Sequence, residues 1–537
     1  MSGLGGIVYV DASIVTRDPA NPAATAMWVV GDRIAAVGDV EVVRATAGHA
    51  AHVVSLSNRT VLPGLIDAHC HLTWFGYLLT GANCSADAAP NIPAIQELLA
   101  AAEPGAEGWV MGSGYAEYQL EEHRAPTRWE LDEAVPDFPC VVYQTSMHVC
   151  VVNSAGLLEL DLSDESEEPP RGRLGRDSNG RLDGRLFEAP MFELMERNMH
   201  RYLAAVGAEG RADLMEGAGK SLASMGITSC ADASTGAASF SAMRQAEGSG
   251  RLPIRVSTLF AFPEAQWLLS AGMTTGFGSD YLRIGGIKVW ADGGMSSRTA
   301  AVDEPYLDPQ GETGILWHDE SELAGMIAQC EEAGFQIAIH AQGERAIRAV
   351  LGAFESTTES DNPLRHRIEH GGAFPSRLRE LAARQRIHVV SQPGFISQLG
   401  DGFIEAFGPE RSNYLYPFAS LQAAGVIVAG SSDTPVIDPS PFLAMRDAVV
   451  RRTRNGLALG EDEAISVSDA LDLYTRNAAF VGWTDDQVGT LEAGKLADFV
   501  IVDQNPLSAV PASLADTKVH LTVVGGRVVF DDGSTRD

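Results

Sequence analysis

The stretch 61–72, VLPGLIDAHCHL, is an apolar strand that ends in two histidines separated by one residue. In a strand, His69 and His71 project from the same face and Cys70 from the other, so the two imidazoles can coordinate one divalent metal ion. The alternative is a pair of surface histidines with structural partners. Asp67 is expected to support the strand end rather than to bind metal directly.

Downstream of this stretch, helix-like segments alternate with short apolar strands. Three such pairs are 211–226 with 227–234, 321–334 with 335–343, and 376–386 with 387–393. This alternation predicts right-handed βαβ units and a parallel sheet. Several units in a chain of 537 residues favour an α/β fold of the (β/α)8 TIM-like barrel type over an open sheet. We assign the barrel to residues 61–485.

The barrel is expected to carry an insertion at about residues 79–202, which breaks the alternation. Within the insertion, the polar, Gly- and Pro-rich segment 161–184 is typical of an exposed loop. Both ends of the chain are instead rich in short strands and turns. Residues 1–60 and 486–537 are therefore predicted to form one small composite β-sandwich domain.

Four more polar residues lie in or at the ends of apolar strands, where barrels build their active sites. His340 closes IAIHAQG, His370 closes HRIEHGG and Asp433 follows VIVAGSS. Each alone also fits a structural histidine or a turn aspartate. Lys288 lies within the strand LRIGGIKVW, where an ammonium group costs desolvation free energy unless it is paired or chemically modified. An ion pair with Asp292 or another buried carboxylate is the alternative explanation of that lysine.

The charge balance restricts the partners of the chain. With 39 Lys+Arg and 71 Asp+Glu the formal net charge is -32, which argues against nucleic acid and against anionic membranes. No run of 18 apolar residues and no signal peptide is recognised. The six cysteines lack CxxC spacing and are expected to be reduced thiols in a cytoplasmic protein.

Taken in order along the chain, these residues resemble the amidohydrolase superfamily. The resemblance covers essentially the whole chain, including the closing segment GTLEAGKLADFVIVD. It implies one or two divalent metal ions, usually zinc, in the barrel. The implied ligands are His69, His71 and Asp433 for the more buried ion and His340 and His370 for the other, with a carboxylated Lys288 bridging the two. A single-metal site, as in deaminase-type relatives, is the alternative.

Several longer motifs are similar to the branch that contains N-substituted formamide deformylase. They are WVMGSGYAEYQL, IKVWADGGMSSRTAAVDEPY, RHRIEHGG and SSDTPV. This resemblance implies that His148 lies near the substrate and that Glu188 belongs to the branch's acidic motif. Arg298 is a candidate for binding an anionic substrate group, with a loop-holding ion pair as the alternative. Glu344 departs from the branch, which usually has Asp after HAxG.

The resemblance predicts a metal-dependent hydrolase of C–N amide-type bonds in small molecules such as N-substituted formamides. A metal-activated hydroxide would attack, Asp433 would move the proton, and His148 would stabilise the oxyanion. Alternatives on the same scaffold are hydrolysis of a cyclic amide, carbamate or ester and deamination of a ring amine. A catalytically silent ligand-binding protein is the alternative of another class. A homodimer is the default assembly.

Overall fold

The computed structural model describes residues 5–307, 311–357 and 361–534. Residues 1–4 and 535–537, which belong to the predicted composite domain, lie outside the described residues. All six cysteines are buried thiols. Among the described helices, none has the combined length and apolar composition needed to cross a bilayer.

The described residues contain 24 β-strands. In chain order they are β1 Ile7–Val10, β2 Ser13–Val15, β3 Ala23–Ala24, β4 Ala26–Val30, β5 Arg33–Gly38, β6 His52–Ser55, β7 Thr60–Pro63, β8 Leu65–Cys70, β9 Ala82–Asn83, β10 Val110–Tyr115, β11 Cys140–Gln144, β12 Val149–Val152, β13 Gly172–Arg176, β14 Leu182–Glu188, β15 Ile227–Thr235, β16 Arg255–Ala261, β17 Leu282–Trp290, β18 Ile337–Ala341, β19 Arg367–His370, β20 His388–Ser391, β21 Val428–Gly430, β22 Phe499–Val502, β23 Val519–Val524 and β24 Arg527–Asp531.

The α-helices of the described residues fill most of the intervals between barrel strands. They are α1 Val40–Ala47, α2 Leu72–Leu78, α3 Ile92–Ala100, α4 Arg128–Ala134, α5 Ser154–Glu159, α6 Ala189–Ala205, α7 Gly207–Ser224, α8 Ala237–Gly248, α9 Gln266–Ser270, α10 Glu320–Glu332, α11 Glu344–Thr357, α12 Ser376–Arg384, α13 Phe395–Gln398, α14 Gly400–Ser412, α15 Phe418–Ala423, α16 Pro441–Val450, α17 Val467–Leu473 and α18 Arg476–Val481.

Eight parallel strands form the barrel, in the order β8, β15, β16, β17, β18, β19, β20, β21. The two ends of this sheet meet where β8 finishes. The backbone N–H of Asp433 donates to the carbonyl of His69 at 2.9 Å, and that of His71 donates to the carbonyl of Thr434 at 2.8 Å. The predicted TIM-like barrel is confirmed. Its carboxyl end collects the residues that follow each strand.

Strands from both ends of the chain share one sheet, in the order β24, β23, β22, β7, β2, β3. In it β7 pairs antiparallel with β22, with Val61 opposite Ile501. A four-stranded sheet, β5, β4, β1, β6, contributes Tyr9 and Met27 to the same apolar cluster as Val61 and Phe499. Because β7 continues to Pro63, the terminal sheet extends three residues past the boundary predicted at residue 60.

The predicted insertion contains a six-stranded mixed sheet, β13, β14, β12, β11, β10, β9. The segment 161–184, expected to be an exposed loop, contributes β13 and the start of β14, which pair as an antiparallel hairpin. That expectation is therefore wrong for the strand residues. Their polar sequence hid the hairpin because β13 is an edge strand with several partly exposed side chains.

A buried ion pair joins the barrel to the terminal sheet. Arg255 on β16 donates from Nε and Nη2 to the two carboxylate oxygens of Asp498 at 2.6 and 2.8 Å. The N–H of Gly525 donates to the same carboxylate at 2.7 Å. The two units are thus tied by charge-assisted hydrogen bonds away from solvent.

We expect Asp498→Ala to lower the free energy of unfolding by about 3–5 kcal/mol, because it leaves the Arg255 guanidinium buried without a partner. Urea denaturation measures this change. The control is Asp303→Ala, which breaks the exposed Arg348 pair and should cost no more than about 1 kcal/mol. Equal costs for both variants would contradict this account of the junction.

Candidate functional site

The structure brings five of the predicted residues into one buried cluster at the carboxyl end of the barrel. His69 lies in β8, the first strand of the barrel, and His71 directly follows that strand. His340 and His370 belong to β18 and β19, and Asp433 follows β21. The ring centroids of His69 and His370 lie 4.9 Å apart, and those of His340 and His370 lie 4.5 Å apart. All five residues are buried.

Three of these side chains converge closely enough to hold one metal ion. Oδ1 of Asp433 lies 3.3 Å from Nε2 of His69 and 3.2 Å from Nε2 of His71. One ligand atom from each of the three residues lies within 4.8 Å of the others. Two imidazoles and one carboxylate are a ligand set typical of zinc and related divalent metals.

Hydrogen bonds on the far side of each ring decide which nitrogen carries the proton. Nδ1 of His69 contacts the carboxylate of Glu369, and Nδ1 of His71 lies 2.8 Å from the carbonyl oxygen of Ala233. Both partners can only accept, so each Nδ1 carries the proton and each Nε2 presents a lone pair.

The convergent atoms are therefore unprotonated acceptors. Among the described residues, neither Nε2 of His69 nor Oδ1 of Asp433 has a hydrogen-bond partner, although both are buried. Acceptor lone pairs packed together in a low-dielectric interior repel one another unless a cation lies between them. This arrangement fits a divalent metal ion.

Hydrogen bonds also fix the protonated nitrogen of His340 and of His370. Nε2 of His340 lies 3.1 Å from the carbonyl oxygen of Gly293, and Nδ1 of His370 lies 2.8 Å from Oε1 of Gln392. Each ring therefore keeps one unprotonated nitrogen. Burial lowers the pKa of His370 to about 3 and that of His340 well below its usual range, so both rings are neutral, as metal ligands must be.

Lys288 lies on β17 with 1% of its surface exposed. Burial lowers the pKa of its amine to about 8, against the opposing charges of Glu369 and Asp433. The alternative ion pair with Asp292 is not present among the described residues. Asp292 instead accepts from the backbone N–H groups of Ala301, Gln342 and Gly343 at 2.8–2.9 Å.

Sequence reasoning missed Glu369 and Arg367, which support His69. Nε of Arg367 lies 2.7 Å from Oε1 of Glu369, and the other carboxylate oxygen contacts His69. Burial opposes ionisation, but Arg367 and His69 lower the pKa of Glu369 to about 2. Two charged residues alternating with Ile368 and His370 in a fully buried strand are the signal that could have revealed the pair.

His148 and Glu188 form a second buried pair beside the cluster. Nδ1 of His148 lies 3.0 Å from Oε2 of Glu188, and its ring centroid lies 5.4 Å from that of His340. Burial alone would lower the pKa of His148, but the charge of Glu188 and its hydrogen bond raise it above the usual value. A Cβ on Gly294 would lie 2.9 Å from the His148 ring, so a glycine there permits the close approach.

One cavity is lined by both His148 and Asp433. Its other walls combine apolar side chains, Met295 and Phe395 among them, with polar ones such as Gln342.

Strained backbone marks the same place. His370, Asp433 and Glu188 have φ values of 70°, 59° and 61°, in the left-handed region that non-glycine residues rarely adopt. Such conformations cost about 1–3 kcal/mol each and concentrate at functional sites.

Arg298 lies outside the histidine cluster. Its guanidinium donates to Glu405 at 2.7 Å, and it lines a second, more polar cavity. Glu344 accepts from the backbone N–H of Asp303 at 3.3 Å.

A closed parallel barrel with convergent histidines and an aspartate at its strand ends defines a metal-dependent hydrolase. The chain belongs to the amidohydrolase family, whose model matches residues 52–530.

Similar proteins agree with this assignment. An N-substituted formamide deformylase of Arthrobacter pascens is 30% identical over 546 residues, covering 99% of this chain and 99% of that protein. The crystal structure of an uncharacterized metal-dependent hydrolase from Pyrococcus horikoshii has a TM-score of 0.75 and 25% identity, covering 94% of this chain and 99% of that one. A Pyrococcus furiosus counterpart has a TM-score of 0.73 at 25% identity, with 94% and 100% covered.

We expect Glu369→Gln to weaken divalent-metal binding about 10–100-fold, because His69 loses the carboxylate that fixes its tautomer. Competition with a chelating dye measures the affinity. Glu331→Gln is the matched control: it removes a carboxylate 3.0 Å from His366, whose Nδ1 accepts from the backbone N–H of Ile337. Equal weakening in both variants would show that Glu369 does not act through His69.

Proposed function

We propose that this enzyme hydrolyses amide-type C–N bonds of small molecules, with N-substituted formamides as the leading substrates. The observation that carries the proposal is the convergence of His69, His71 and Asp433 beside a cavity that also exposes His148. The deformylase relative, aligned over nearly the full length of both chains, supports the formamide class.

We propose two metal positions, of which the described side chains bring together the ligands of one. His69, His71 and Asp433 would hold the more buried ion, and His340 and His370 the other, with a carboxylated Lys288 joining them. Zinc suits this donor set. When bound, such an ion lowers the pKa of water from 15.7 to about 7 and polarises a carbonyl. The lowered pKa of Lys288 supports its carboxylation, since a neutral amine is the form that takes up carbon dioxide.

Asp433 is proposed to move the proton. Burial opposes ionisation of this carboxyl, but bound metal cations would lower its pKa, which would make it an acceptor at neutral pH. It can take a proton from the attacking water and deliver it to the departing nitrogen. That delivery is needed because an amide anion is a very poor leaving group.

His148 is proposed to stabilise the oxyanion. With Nδ1 bonded to Glu188, its Nε2 is the nitrogen left for the substrate, and the raised pKa favours the protonated ring that can donate. Glu188 acts through His148 and is a positioning residue. A fixed donor aimed at developing negative charge contributes a large part of the rate in acyl transfer.

Metal quantification combined with a hydrolysis screen tests the function. Purified protein should contain a divalent metal and hydrolyse formamides faster than acyl amides, cyclic amides and esters of matched size. A protein without metal and without activity on the whole panel would overturn the proposal. Preferential hydrolysis of a cyclic amide or ester would agree with a metal-dependent hydrolase but would rule out formamides as its leading substrates.

We expect His69→Ala to lose both bound metal and activity, because it removes a proposed metal ligand. It also leaves the buried Glu369 carboxylate without the hydrogen bond from His69. Metal analysis and turnover of the formamide substrate check this outcome. His200→Ala, which changes an exposed histidine, is the control and should retain both. Full activity in His69→Ala would contradict the assigned site.

We expect His148→Ala to lower kcat about 10²–10³-fold while metal content stays at the level of the unaltered protein, because an oxyanion donor is lost and no ligand is. Steady-state kinetics with parallel metal analysis separates this from His69→Ala. Loss of metal in His148→Ala would assign the residue to the metal site instead.

A further inference from the structure

The second cavity differs in character from the catalytic pocket. Four arginines line it: Arg124, Arg173, Arg185 and Arg298. These basic side chains lie together in a chain whose formal net charge is -32. The two cavities are neighbours, since Ser296 lines both.

A rigid loop connects this arginine cavity to the catalytic pocket. The loop 294–299 begins at Gly294 against the His148 ring and carries Arg298 into the arginine cavity. The N–H of Arg298 donates to the carbonyl of Met295 at 3.1 Å, and the N–H of Thr299 donates to the carbonyl of Gly294 at 2.9 Å. The backbone that carries Arg298 is therefore held in a fixed relation to His148.

Each of the four arginines already has a carboxylate partner, and Arg124 is held by two hydrogen bonds to Glu130 at 2.6 and 2.9 Å. Glu405 and Glu312 pair with Arg298 and Arg173 through single contacts at 2.7 and 2.6 Å, and their side chains are 55% and 44% exposed. Exposed pairs of this kind contribute little, so a better-placed anion can displace them. Arg185 donates from Nε and Nη2 to one carboxylate oxygen, Oδ2 of Asp183, at 3.0 and 2.6 Å. Glu117 also lines the cavity as an opposing carboxylate, which accepts from Nε2 of Gln144 at 2.7 Å.

From this geometry we propose that the arginine cavity binds a carboxylate at the far end of the amide substrate. The proposal rests on the proposed function, and it narrows the substrate class to amides that carry an acid group. The amide reaches Asp433 and His148 in the catalytic pocket, while the carboxylate accepts hydrogen bonds from Arg298. Arg–carboxylate bonds are charge-assisted and directional, which suits recognition of one end of a substrate.

The test compares ω-formamido alkanoic acids of increasing chain length with their primary carboxamides, which match them in size but lack the charge. We expect the acid to exceed its carboxamide in kcat/KM at least about tenfold at the best chain length. Raising the ionic strength should reduce that preference.

Variants assign the preference to Arg298. Arg298→Gln should reduce the ratio of acid to carboxamide at least about tenfold, and Arg298→Lys should restore part of it. Arg348→Gln is the control, since this arginine pairs with Asp303 elsewhere on the surface, and the ratio should not change. Glu405→Gln should instead tighten acid binding by up to about fivefold, because it removes the competitor for Arg298.

Equilibrium binding of each acid and carboxamide, measured by calorimetry, keeps the two proposals separable. A preference for the acid in binding, without hydrolysis of any compound, would reject the proposed function and retain the carboxylate site. Equal binding of acid and carboxamide, or an equal effect of Arg298→Gln on both, would overturn the carboxylate site and leave amide hydrolysis standing.

Discussion

The structure depends on one electrostatic constraint: unprotonated acceptors from distant parts of the chain meet in a buried space. Glu369 and the carbonyl of Ala233 hold the protons of His69 and His71 on Nδ1, so both Nε2 lone pairs face Asp433. A cation bound among these atoms would offset their mutual repulsion. The same cation would activate water and polarise a carbonyl.

The contacts that close the barrel also position the proposed metal ligands. The hydrogen bond from the N–H of Asp433 to the carbonyl of His69 joins the two ends of the parallel sheet, and it also sets the distance between two proposed ligands. Asp67 reinforces the junction by accepting from the backbone N–H and the hydroxyl of Ser432. The strained backbone of His370 is held by its pairing with Ala341 of β18, and that of Asp433 by its hydrogen bond to His69.

The sequence predicted the barrel and the members of the cluster, because each member ends an apolar strand and parallel strands bring their carboxyl ends together. It did not predict Glu369 as the partner of His69, since that contact links strands far apart in the sequence. The β13–β14 hairpin was missed because its exposed face is polar. The pairing of Arg298 with Glu405 depends on how α14 packs over a loop, for which the sequence has no local pattern.

Anomalous diffraction from a crystal of the metal-loaded protein, collected on both sides of the metal's absorption edge, tests the central claim most directly. The account predicts a strong anomalous peak bonded to Nε2 of His69, Nε2 of His71 and Oδ1 of Asp433. A metal peak elsewhere in the molecule, with these three atoms unliganded, would contradict it.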